Sequence, residues 1–284
     1  MSNWGKETMR DIFITDLDHT FLKTDLSLST YTKDIWNEYA KHSIMSVATA
    51  RTYKKTLQFI NDIEINAPMI LLDGALIATV DKKIISTKFI DKNSADSIID
   101  EGAKFGIYPF ILSLADASLR EIFSYSTTLN YHQNEVLKNY KNDDHHNKQT
   151  NLRAMDDNFK IVYFGEESLL RELYAHLKPI FGDTFKFILA PEAYVGCYFL
   201  TILHKDSDKS HGIKSVSEYV GFDLGRLTVF GDNLNDVGMF ELAKTSVAVA
   251  NAQENVKKFA NIVLEHTNDE DAVAKYLESL KNAR

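Results

Sequence analysis

The chain reads as an α/β protein whose core is a doubly wound, Rossmann-like parallel sheet interrupted by an inserted α+β layer. Three observations lead there. Short apolar runs alternate with segments of helical period at the start of the chain, the pattern of a parallel sheet covered by helices. The texture changes between about residues 81 and 203, where strand-like runs outnumber helical ones. From residue 204 onward the alternation resumes. The reading divides the 284 residues into a core made of 1–80 and 204–284 and an inserted region of 81–203.

Taken in order, "DIFIT" (11–15) is a buried strand, and a helix follows near Thr30–Lys41. "SIMSVATA" (43–50) is a second strand, before a helix from about Tyr53 to Asp62. "PMILLDGALIATV" (68–80) reads as strand, turn at Asp73-Gly74, and strand, with "DKKIISTKFI" as a further hairpin arm. The inserted region opens with a helix over 94–105 and the strands "IYPFILSL" (107–114) and "LREIFSY" (119–125). The polar tract "KNDDHHNKQTN" (141–151) reads as a loop. The strand "FKIVYFG" (159–165), a helix over 166–177, and the strands "FKFIL" (185–189) and "CYFLTIL" (197–203) complete it. In "HGIKSVSEYVG" (211–221), Ile213, Val216 and Val220 share one helical face. "RLTVF" (226–230), "TSVAVANA" (245–252) and "NIVLEH" (261–266) are strands, and "EDAVAKYLESL" (270–280) is the last helix.

Bulk composition narrows the function. A net charge of −8 argues against nucleic acid or an anionic membrane as partner, while leaving room for a small anion beside a local cation. The single cysteine, Cys197, permits no internal disulfide and fits a reducing compartment. No apolar run is long enough to span a bilayer, and "MSNWGKETMR" has no signal-peptide core, so a cytoplasmic location is expected.

Four short stretches carry candidate chemistry. "ITDLDHTF" (14–21) ends an apolar strand in Asp16 and Asp18, whose i, i+2 spacing puts both on one side of an extended chain. Two such acids repel unless a cation, a shared proton or a ligand intervenes; alternatively they cap turns. "GDNLND" (231–236) closes another strand with Asp232 and Asp236, hard oxygen donors that suit Mg²⁺, or simply a Gly-Asp-Asn turn. "VATAR" (47–51) places the Thr49 hydroxyl before a helix, as part of a phosphate cradle or as a plain N-cap. "DSDKSHG" (206–212) places Lys209 at another such junction, where a lone lysine would ordinarily be solvated.

The ordered set, DxD, Thr, Lys, GDxxxD, with every member at a strand-to-helix junction, resembles the haloacid dehalogenase (HAD) superfamily phosphatases, specifically the Cof-like group with a class IIB cap. "DLDHT", "TAR", Lys209 and "GDNLND" match that family's four motifs. "LLDGALI" resembles its crossing from core to cap, and "VAVANAQENVKKFA" and "TNDEDAVAKYL" resemble its closing segments. Departures are His19, Ala50 and Ser210 where glycine is usual, and Asp73 where asparagine is frequent. The resemblance implies a Mg²⁺-dependent phosphomonoesterase for small phosphorylated metabolites such as sugar phosphates. Asp16 would be the nucleophile that forms an aspartyl-phosphate, and Asp18 the acid and base. The metal would be held by Asp16, the Asp18 carbonyl and Asp232, supported by Asp236. Thr49, Lys209 and Asn235 would be on the phosphate side. Asp18 would hold a proton while Asp16 stays ionised. The inserted region would be a cap that closes over the site, with Tyr131, His132, Gln133, Glu192 and Tyr194 available to read a sugar. A monomer or weak homo-oligomer is expected. Alternatives are a sucrose-phosphate phosphatase-like enzyme, suggested by His19, a sugar phosphomutase, and a non-catalytic module on the same fold. His145 and His146 read as solvated loop residues, His211 has no assigned role, and Cys197 reads as buried and inert.

Overall fold

A computed structural model describes residues 10–138, 145–192 and 195–282. The elements run β1 Ile12–Thr15, α1 Thr30–Ala40, β2 Ile44–Val47, α2 Tyr53–Ile60, β3 Met69–Leu71, β4 Leu76–Ala78 and β5 Ile84–Thr87. Then come β6 Ile90–Asp91, α3 Lys92–Ala103, β7 Phe110–Leu114, β8 Glu121–Ser126, α4 Tyr131–Lys138, β9 His146–Gln149, β10 Asp157–Gly165, α5 Glu167–Phe181, β11 Phe185–Glu192 and β12 Cys197–His204. The chain closes with α6 Lys209–Val220, β13 Leu227–Gly231, α7 Val237–Leu242, β14 Thr245–Ala248, α8 Glu254–Lys257, β15 Ile262–Val263 and α9 Ala272–Asn282.

Two compact units result, one built from the chain up to Thr87 and from Asp208 onward, the other from Lys88–Ser207. The first border lies beyond 80 because β5 pairs with β4 in a three-stranded sheet of the first unit, and the second lies just past β12. The centre of that unit is a parallel five-stranded sheet in the order β15-β14-β13-β1-β2. All four residues of β1 and of β2 are buried, as expected of strands covered on both faces. Ile213, Val216 and Val220 of α6 do share a face, and it packs with Ile12, Ile14, Leu227, Val229 and Met239 in one core. Transfer of such side chains from water is worth about 1.5–3 kcal/mol each, which explains why four residues per strand are enough to hold the sheet.

The second unit is a mixed sheet in the order β11-β12-β10-β7-β8-β9, with β6 on β10, and α3 and α5 pack against it. Its core includes Tyr163, whose hydroxyl donates to the Ile98 carbonyl at 2.8 Å. The tract read as a loop over 141–151 contains β9, a parallel partner of β8. A four-residue strand of His, Asn, Lys and Gln has no apolar alternation to announce it. Among the described residues no helix is long and apolar enough to cross a membrane.

Candidate active site

β1 lies between β2 and β13, and the chain leaves it to one side first and reaches the other side only after the second unit. That reversal of strand order is where open α/β sheets form a crevice at their carboxyl ends. Register brings the ends level: Thr15 pairs with Val47 and with Phe230, and the Asp16 amide donates to the Phe230 carbonyl at 2.9 Å. Asp16, the loop after β2 that holds Thr49, and Asp232 just past β13 are thereby gathered at one edge.

Lys209 opens α6, whose N-cap is Asp208. Its side chain is fully buried, and Nζ donates to Asp16 Oδ1 and Asp236 Oδ1, each at 2.6 Å. The lysine expected to be solvated in isolation is therefore the counter-ion of a buried acid cluster. Asp236 Oδ2 accepts the backbone N–H groups of Asp232 and Asn233, both at 2.9 Å. Thr20 Oγ1 donates to Asp232 Oδ1 at 3.0 Å. Carboxylate oxygens of Asp16, Asp232 and Asp236 all lie within 4.8 Å of one another. Gly231 makes this possible, since a Cβ there would sit 2.5 Å from Asp236 Oδ2.

The cluster holds three carboxyls and one ammonium, an excess of negative charge in a buried place. Burial pushes the Asp16 carboxyl well above its ordinary range, against the opposing pull of Lys209. Burial and the neighbouring Asp236 push Asp232 up to about 6. Burial alone would discharge Lys209, but Asp16 and Asp236 outweigh it and raise the ammonium's affinity for its proton. Unmet negative charge and all-oxygen donors fit a hard divalent cation such as Mg²⁺. Asp236 already spends one oxygen on the ammonium and the other on two amides, so Asp16 and Asp232 are the better donors.

Asp18 is placed differently from the expectation. Strand geometry ends at Thr15, and Asp18 lies in an irregular turn over Leu17–Phe21. Arg51 holds both its carboxylate oxygens, Nε to Oδ2 at 2.7 Å and Nη2 to Oδ1 at 2.5 Å. Burial pushes the Asp16 carboxyl toward its protonated form, while Asp18 is paired with Arg51. His19 in that turn has φ 57°, the left-handed region glycine favours. Neither Ala50 nor Ser210 has a positive φ, so the absence of glycine costs no backbone strain there.

Thr49 is buried, and its hydroxyl accepts the Arg51 N–H at 3.1 Å. It is not a helix cap: Thr52 caps α2. The exposed Asn235 donates through Nδ2 to Asp73 Oδ1 at 2.9 Å. Thr20, Arg51 and Gly231 stand inside the recognised motifs "DLDHT", "TAR" and "GDNLND", yet motif order alone assigns them no task.

In the second unit, Gln133 is buried with Nε2 on the Tyr108 carbonyl, a structural position. His132 pairs with Glu166 at 2.6 Å, Glu192 accepts the Val195 N–H at 2.6 Å, and Tyr131 is exposed. Tyr194 lies outside the described residues. His146 is in β9 against the rings of Phe123 and Tyr125, rather than in a solvated loop. His211 bonds the N-cap carboxylate Asp208 at 2.5 Å. Cys197 is buried, and burial pushes its thiol up, away from reactivity.

The family model described as haloacid dehalogenase-like hydrolase matches residues 13–277. A 5-amino-6-(5-phospho-D-ribitylamino)uracil phosphatase of Bacillus subtilis is 21% identical over 276 residues, covering 95% of this chain and 97% of the relative. A Mycoplasma pneumoniae relative is 38% identical over 81 residues, spanning 28% of this chain and 29% of its own length. Among solved structures, a Thermotoga maritima protein superposes with TM-score 0.80 at 24% identity, covering 95% and 97% of the two chains. The HAD subclass IIB sugar phosphatase BT4131 gives TM-score 0.70 at 20% identity, over 95% and 99%. Likeness at these identities shows the fold.

Proposed function

The chain belongs to the haloacid dehalogenase-like hydrolase family, and from that premise we propose that it is a phosphomonoesterase for small phosphorylated metabolites, with Asp16 as nucleophile and Mg²⁺ as cofactor. The observation that carries the reading is the buried cluster of Asp16, Asp232 and Asp236 around the Lys209 ammonium, at the carboxyl ends of adjacent parallel strands. The substrate class rests on the relatives, a sugar phosphatase and a phosphatase of a phosphoribityl compound.

Asp16 and Asp232 would hold the cation, with Asp236 keeping the Asp232 loop in place. When bound, the cation supplies positive charge that offsets the phosphoryl oxygens and the acid cluster. Asp16, held by the Lys209 ammonium at one oxygen, attacks phosphorus, and the alkoxide leaves as the aspartyl-phosphate forms. Lys209 and Thr49 bind the phosphoryl oxygens as their charge is redistributed. Asp18 gives a proton to the leaving alkoxide, and later takes one from the water that cleaves the acyl phosphate. Because Arg51 occupies both Asp18 oxygens, the first of these proton transfers requires Arg51 to release Asp18.

The test is p-nitrophenyl phosphate hydrolysis by purified protein with Mg²⁺, with EDTA, and by Asp16→Asn with Mg²⁺. Turnover is expected in the first case alone. Equal turnover by Asp16→Asn would rule out Asp16 as nucleophile, and turnover in EDTA would rule out the cofactor.

A further inference from the structure

Leu72, Asp73 and Gly74 have φ of 52°, 53° and 91°, three successive residues in the left-handed region. L-residues resist that conformation, and it persists where surrounding contacts impose it. The contacts are explicit. The Leu72 amide donates to the Arg51 carbonyl and the Asp73 amide to the Thr49 carbonyl, both at 3.0 Å. A Cβ on Gly74 would stand 2.2 Å from the Asp208 carbonyl oxygen, so glycine alone lets the turn rest against the residue before Lys209. One strained turn is therefore tied to the loop of Thr49 and to the head of the helix that carries Lys209. From it Asp73 reaches the third partner, accepting from Asn235 Nδ2 at 2.9 Å.

We propose that Asp73 is a positioning residue for phosphate recognition: its carboxylate fixes the orientation of the Asn235 amide relative to Thr49 and Lys209. An amide side chain has a donor end and an acceptor end of nearly equal shape, and its flip is decided by its neighbours. An ionised carboxylate only accepts, so it dictates that the nitrogen of Asn235 faces Asp73. The proposal rests on the phosphatase reading of this site, together with the place on the phosphate side that the motif resemblance implies for Asn235.

Asp73→Gly removes the acceptor and tolerates the positive φ; Asp73→Asn keeps an acceptor, loses the charge and is also at ease in that conformation. With the full-length, Mg²⁺-loaded protein and p-nitrophenyl phosphate, Asp73→Gly is expected to lose about tenfold in kcat/KM, the scale of one charge-assisted hydrogen bond. Asp73→Asn, which keeps an acceptor but can also present its donor end, is expected to recover only part of that loss, and Asp73→Gly should cost nothing further in an Asn235→Ala background. Equal losses in the Gly and Asn variants would overturn the proposal in favour of charge alone. An undiminished loss in the Asn235→Ala background, or no loss in Asp73→Gly, would overturn it too. A readout free of turnover separates this from the activity itself: the Asn235 side-chain ¹H–¹⁵N signals should be protected from exchange in the wild type and lose that protection in Asp73→Gly. A protein inert toward phosphate esters that shows this change would sink the phosphatase reading but not the Asp73–Asn235 coupling, whereas unprotected wild-type signals would end the coupling.

Discussion

Lys209→Met deletes the ammonium between Asp16 and Asp236 while keeping a side chain of similar length. Lys209 is fully buried and makes two bonds of 2.6 Å. Removing one partner from a buried ion pair costs about 3–5 kcal/mol, because the charge left behind has no compensation. That cost depends on pH in a calculable direction. Burial already raises Asp16, with Lys209 opposing the rise; without the lysine the carboxyl rises further. A carboxyl raised in the folded state contributes stability that is fully present below its unfolded value and is lost as pH climbs through the folded one. In EDTA, then, the variant should lie close to the wild type below the ordinary carboxylate range and fall behind progressively as pH rises above it. Urea unfolding at a series of pH values, compared at constant m, measures the gap. A gap that stays constant or narrows with rising pH would refute the view that Lys209 is the counter-charge of the cluster.

Other expectations test the same cluster. Gly231→Ala puts a Cβ 2.5 Å from Asp236 Oδ2, so it should cost about 1–3 kcal/mol in unfolding free energy as overpacking does, and lower kcat/KM; wild-type values in both would contradict the close packing. Thr20→Val removes the hydroxyl on Asp232 Oδ1 and should weaken Mg²⁺ binding about tenfold, the scale of support lost from behind a metal ligand, as read by Mg²⁺ titration of thermal stability. Burial and Asp236 push Asp232 up to about 6 from an ordinary 3.8, and at ~1.36 kcal/mol per tenfold change in proton affinity protein in EDTA should lose about 3 kcal/mol in all as pH climbs from well below 4 to well above 6. Mg²⁺ should abolish that decline, and thermal melts in EDTA and in Mg²⁺ that track each other across this range would show that no cation sits on Asp232.

The fold was legible wherever burial writes itself into the sequence. β1 and β2 are buried on both faces and so appear as unbroken apolar runs, and α6 shows its core face through Ile213, Val216 and Val220. β9 and α4 were missed for the complementary reason. His146–Gln149 is held by backbone pairing to β8 and carries no apolar alternation, while only Gln133 and Val136 of α4 are buried. Thr49 shows how local chemistry misleads by a few residues: a threonine before a helix suggests a cap, but Thr52, three residues on, takes that place.

Within the candidate site, the motifs pick out side chains that the structure brings together, but not how those side chains are paired. Motif order marks Asp16, Asp232, Asp236 and Lys209, and the structure bonds Lys209 to Asp16 and Asp236, with Asp232 at carboxylate distance. What no linear pattern contains is who satisfies whom. Arg51 and Asp18 are 33 residues apart in sequence, Thr20 and Asp232 212, and Asp73 and Asn235 162. Each of these pairings supplies a hydrogen-bond partner to a group whose type was readable from its motif. The consequence is largest at Asp18. Its residue type alone is compatible with holding a proton, yet both oxygens are taken by Arg51, while burial raises the Asp16 carboxyl above its ordinary range. On the proposed reading, Asp16 would act as nucleophile once a cation offsets the acid cluster and Asp18 as acid once Arg51 releases it, so charge pairing rather than missing groups would hold the site idle.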